Sequence, residues 1–168
     1  MRILLTLAVA FVAFAAGSQI PENLKPPASQ VVLFRAAGKG QQVYVCKSKG
    51  GGEGLEWALL KPRAVLYDEK GARIGTHYEG PTWEATDGSK VTGKVLQRAI
   101  APEAGAVPWL LLKAASNWGE GKLARVTYIG RVNTKGGLPP PQGCTIPQAG
   151  TQTAVDYQAD YIFYGPGR

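Results

Sequence analysis

Residues 155–163 alternate without a break: Val155, Tyr157, Ala159, Tyr161 and Phe163 share one parity, and Asp156, Gln158 and Asp160 the other. A period of two marks a strand with one dry face and one wet face. Comparable runs recur along the chain, each bounded by turn residues. Residues 31–34 lead through Gly38-Lys39-Gly40 to 42–46, which reads as a hairpin. Runs at 55–60 and 64–67 flank Lys61-Pro62, and Asp68-Glu69-Lys70-Gly71 has turn chemistry ahead of 73–78. Asp87-Gly88 precedes 90–100, and 108–115 and 123–133 are the longest remaining candidates. With 22 Gly and 12 Pro in 168 residues, the few helix-like windows are short and interrupted. The pattern predicts an all-β fold, an antiparallel β-sandwich or closed β-barrel of about nine or ten short strands. Alternating βα units are missing, which excludes a parallel doubly wound sheet.

The N-terminus follows other rules. Arg2 precedes an apolar run over 3–16, and Ala13-Phe14-Ala15 has the small-x-small form of a cleavage site. About 14 apolar residues are too few to span a hydrocarbon core of roughly 30 Å. We read 1–17 as a cleaved signal peptide, 18–30 as an extended lead-in containing Pro21, Pro26 and Pro27, and 31–168 as a single β domain. The expected location is extracytoplasmic, periplasmic or secreted, with no stable membrane insertion. In such an oxidising compartment the only two cysteines, Cys46 and Cys144, are expected to form a disulfide. Closing a loop of about 100 residues contributes on the order of 4–5 kcal/mol in the chain-entropy view.

Charge narrows the partners. The chain has 19 Lys+Arg against 12 Asp+Glu, a formal +7. That balance favours a cell-wall polysaccharide or another anionic surface. The basic residues are dispersed and form no stripe or reading module, so nucleic acid is not an expected partner.

Three segments resemble a known family. They are Gly40-Gln41-Gln42-Val43-Tyr44-Val45-Cys46, the stretch from Gly75 through His77-Tyr78-Glu79-Gly80-Pro81-Thr82-Trp83-Glu84 to Ser89, and Tyr128-Ile129-Gly130-Arg131-Val132-Asn133-Thr134-Lys135-Gly136-Gly137 with Cys144. Together they resemble a family of small exported proteins of bacteria and fungi, catalogued as a domain of unknown function. The resemblance covers nearly the whole mature chain and implies one secreted domain. It brings no activity and no catalytic residues.

The chemistry open to the chain is limited. His77 is the only histidine, which excludes multi-His metal centres. No G-x-S-x-G elbow, EF-hand loop or G-x-G-x-x-G turn is present, and no cofactor is expected. Polar chemistry concentrates between positions 77 and 87. His77 and Glu79 share parity, and the Gly80-Pro81 break can bring Trp83 back over the same face, with Glu84 and Asp87 beyond it. One arrangement is a small ligand or sugar site with Trp83 as a stacking platform and His77 and Glu84 as hydrogen-bonding groups. The other has His77 bonded to a backbone carbonyl and Trp83 in the core beneath the turn. We expect a mixture, with Trp83 structural and His77 nearer the surface.

Arg131 and Asn133 share parity near the end of a strand and form a second candidate pair. Arg131 can clamp a carboxylate or sulfate, or pair internally with Glu84 or Asp87. Trp109 opens the apolar run Trp109-Leu110-Leu111-Leu112 and is expected in the core. Trp118 sits in Asn117-Trp118-Gly119-Glu120-Gly121, where an exposed aromatic would mark a ligand surface. Two functions follow as expectations. The first is a non-enzymatic binding or envelope-associated protein. The second is a small hydrolase or lyase working through a carboxylate–His acid–base pair.

Overall fold

A computed structural model describes residues 19–167. The export signal read at 1–17 lies outside the described residues. Eight strands follow in order: β1 (Gln30–Ser48), β2 (Leu55–Tyr67), β3 (Arg73–Tyr78), β4 (Thr82–Ala85), β5 (Lys90–Ala99), β6 (Trp109–Trp118), β7 (Tyr128–Gly136) and β8 (Gln152–Pro166). Every strand pairs antiparallel with its sequence neighbours, and β1 pairs with both β2 and β8, so the hydrogen-bonded order closes into one ring.

The strands are fewer and longer than the nine or ten expected, because two anticipated breaks lie inside strands. Gly38-Lys39-Gly40 is the middle of β1, paired on both sides. A Cβ on Gly38 would lie 2.6 Å from the Tyr161 ring, and one on Gly40 would lie 2.1 Å from the Arg63 carbonyl oxygen. These glycines admit close neighbours and make no turn. Lys61-Pro62 likewise stays within β2, next to a bulge that leaves Leu60 between the pairs Val43↔Lys61 and Tyr44↔Leu59. The strand anticipated at 123–133 begins only at Tyr128. Before it, the Asn117 side-chain amide donates to the carbonyls of Leu123 and Val126, holding a turn that delivers both apolar side chains to the core.

The alternation on β8 holds. Tyr157, Ala159, Tyr161 and Phe163 are buried in the interior with Leu66, Trp83, Val91, Leu110, Leu112 and Ile129. A second apolar cluster of Trp109, Leu111, Val132, Ile162 and Tyr164 is capped by Leu24 from a short 3-10 turn at Glu22–Leu24. Burial on both faces explains why Trp109–Leu112 and Tyr161–Tyr164 are continuous apolar runs. Cys46 and Cys144 form the disulfide, with Cα atoms 6.0 Å apart. It ties the end of β1 to the proline-rich connection before β8, where the Trp57 indole also donates to the Gly143 carbonyl at 2.8 Å. Among the described residues no helix is long and apolar enough to cross a membrane.

Candidate functional site

The β3–β4 hairpin builds one wall of a cavity that reaches the interior and opens to solvent beside Leu59, Leu60 and Arg98. Gly80, at φ 100°, supplies the left-handed turn conformation, and the register places His77 opposite Trp83. The two rings stack with centroids 4.4 Å apart. His77 Nδ1 donates to the Thr82 carbonyl at 2.8 Å, which leaves Nε2 as the acceptor of a neutral imidazole. Burial pushes the His77 pKa down to about 3; the Thr82 carbonyl opposes that shift and the Arg131 charge adds to it. From β8, Tyr161 meets His77 and Trp83 edge-on at 5.2 and 5.7 Å, and its hydroxyl lies 3.0 Å from that of Tyr157. Burial raises both phenols above their ordinary range.

Arg131 enters from β7, in register with Leu110 and Tyr161. Its Nε and Nη2 donate to the Pro108 carbonyl at 3.2 and 2.8 Å. Among the described residues its guanidinium has no carboxylate partner, since the ion pairs there are Lys25–Glu22 and Lys90–Glu84. Gln42 projects from β1 into the same space. It is 1% exposed, and neither its amide nitrogen nor its amide oxygen has a protein partner. The Trp83 indole N–H is also buried without one. Val95, Leu110 and Leu112 complete the apolar wall, and Leu59, Leu60, Pro81, Lys61 and Arg98 also line the space, which has a volume of about 260 Å³.

His77, Trp83 and Arg131 are thus brought together, and the other sequence candidates are not. Glu79 lies beyond the end of β3 and is exposed, so parity with His77 no longer governs it. Glu84 accepts from the Tyr78 hydroxyl at 2.7 Å and pairs with Lys90 at 3.4 Å. The Tyr78 bond, more than the lysine, holds its carboxyl below the usual range. Asp87 accepts from the Ser89 hydroxyl and amide and from the Lys122 amide, and these bonds, Ser89 foremost, depress its pKa. It ties one turn to another loop. Neither carboxylate pairs with Arg131, contrary to the internal pairing considered from sequence. Asn133 adopts φ 50° where the β7–β8 register shifts, and its amide donates to Asp160 at 2.8 Å on the exposed side. Trp118 is 51% exposed at the end of β6, apart from the cavity.

Two expectations about the aromatic pair need correction. His77 is not nearer the surface: it is 3% exposed, because the hairpin register drives it against Trp83. Trp83 presents no open stacking platform, since it is 1% exposed and His77 covers one of its faces. Among the cavity residues that sequence reasoning missed are Gln42 and Tyr161. Their shared signal was parity: Gly38, Gly40 and Gln42 lie on one face of β1, and Tyr161 lies on the dry face of β8.

The sequence matches, over residues 27–165, a family model described as a protein of unknown function (DUF3455). The chain belongs to that family. The DUF3455 region starts just before β1 and runs to within one residue of the end of β8, so it contains every residue of the cavity. No curated protein and no solved structure matches the chain. Among the described residues, no group of three or more His, Cys, Asp or Glu is placed to hold a metal ion.

Proposed function

We propose that this chain is an exported, non-enzymatic binding protein that holds a small polar anion in the cavity between His77, Gln42 and Arg131. The observation that carries this reading is a guanidinium without a carboxylate partner beside a buried, unpartnered glutamine amide. Buried polar groups without partners are costly to a fold, and binding sites are where they are retained. At about 260 Å³ the cavity lies just below the roughly 300–1,000 Å³ of drug-sized sites, which suits a single small molecule or the end unit of a polymer. Export is supported by the leader-like sequence at 1–17 and by the Cys46–Cys144 disulfide.

The acid–base alternative draws no support from the site. Glu84 and Asp87 are engaged with Tyr78, Lys90, Ser89 and Lys122, while His77 is tied to Thr82 on the interior side. A melting-temperature screen of the oxidised protein against small carboxylates, sulfate, phosphate and neutral sugars tests the proposal. Ligand binding to the native state raises the melting temperature by mass action. We expect at least one anion to do so in the wild type and to fail with Arg131→Gln. A flat response to every anion at millimolar concentration overturns the proposal.

A further inference from the structure

The polar groups facing the cavity differ enough in kind to define the ligand's chemistry. This inference rests on the binding reading above and goes further, to the class of ligand. Arg131 has five N–H groups, and two of them are engaged with the Pro108 carbonyl. The remainder, which also meets the Tyr161 hydroxyl, joins the two N–H groups of Gln42 Nε2 and the Trp83 indole N–H in a surplus of donors, and Lys61 and Arg98 bring further positive charge to the same space. A carboxylate is acceptor-only and planar, and it matches a guanidinium fork. Two groups do not suit it. Gln42 Oε1 is buried without a donor, and His77 Nε2 is an acceptor because Nδ1 donates to Thr82. Both need an O–H or N–H from the ligand, and a simple alkyl carboxylate brings neither. A neutral polyol satisfies both acceptors and leaves the guanidinium without a counter-charge.

We infer that the cavity takes a small hydroxylated carboxylate of the size of one sugar acid, its carboxylate on Arg131 and Gln42 Nε2 and its hydroxyls on Gln42 Oε1 and His77 Nε2. The lining carries Lys61, Arg98 and Arg131 and no carboxylate, which suits a negatively charged ligand. The walls of Val95, Leu110 and Leu112 contact the ligand's carbon skeleton. The class fits a binding protein that meets a free sugar acid or the acidic end of a polymer chain.

Three probes of one shape separate the parts of this inference. D-glucuronate carries both features, D-glucose lacks the carboxylate, and cyclohexanecarboxylate lacks the hydroxyls. Calorimetric titration of the oxidised full chain at neutral pH is expected to show glucuronate binding at least about tenfold tighter than either analogue, a difference of about 1.4 kcal/mol. Gln42→Met, confirmed folded by its thermal melt, should lose most of that preference over cyclohexanecarboxylate. Equal binding of cyclohexanecarboxylate overturns the hydroxyl requirement, and equal binding of glucose overturns the carboxylate requirement. Binding by none of the three overturns the ligand class. The anion screen then decides separately whether the cavity reading survives.

Discussion

His77 and Trp83 face each other across the β3–β4 hairpin with ring planes 12° apart, so each covers a face of the other. The contact joins the hairpin to the interior through Tyr161 and Phe163, which meet the indole edge-on. One pair therefore serves two ends. Trp83 packs the core, and His77 is held neutral with Nδ1 bonded to the Thr82 carbonyl.

Trp83→Ala should destabilise the protein by about 3–5 kcal/mol, the usual cost of deleting a buried large aromatic and leaving a cavity. Urea unfolding measures it. A loss below about 1 kcal/mol would mean that Trp83 contributes little to the core.

Acid should weaken the fold through His77. Its folded pKa, about 3, lies below the ordinary value of 6.5, so the unfolded chain binds the proton first as pH falls. Stability is fully present above about pH 6.5 and declines below it, by roughly 2 kcal/mol between pH 6.5 and 5. His77 is the only histidine, so His77→Phe should flatten this slope even if its baseline stability is lower. An unchanged slope in the variant would contradict the assignment.

Reducing the Cys46–Cys144 bond should lower stability by about 2–5 kcal/mol. Non-reduced peptide mapping should recover the two cysteines in one linked species. Two alkylatable thiols in the native protein would refute the bond.

Gly40→Ala should destabilise by at least about 1–3 kcal/mol, because the added methyl meets Arg63 and Ala64 backbone that is fixed by strand pairing. Gly50→Ala, where a Cβ meets nothing within 4 Å, is the control and should be near neutral. Equal melting temperatures for the two variants would show that β1 and β2 can move apart at Gly40.

Much of this architecture is legible in the sequence where local pattern and burial agree. The alternation of β8 survives into its interior face because one side of the strand is fully buried. The disulfide is legible because no competing thiol exists. Gly38 and Gly40 mislead because a glycine in a turn and a glycine under a neighbouring chain look alike until the partner strand is placed. Arg131 and Asn133 share parity in sequence, but the irregular β7–β8 register between Val132 and Lys135 separates them. Gln42 carries no sequence signal of burial, since a polar residue in a strand is normally solvated. Only the closed ring puts it inside.

The central claim is that the interior polar groups are kept for a ligand and not for the fold, and Gln42→Met tests it most directly. Methionine preserves the length of the side chain and removes both unpartnered amide atoms. The measurement is the unfolding free energy of ligand-free Gln42→Met beside the wild type. We predict that the variant is as stable as the wild type or more stable, while its preference for glucuronate over cyclohexanecarboxylate is lost. A loss of more than about 1 kcal/mol, the net worth of a typical hydrogen bond, would contradict it by showing that the Gln42 amide is part of the structure's own network.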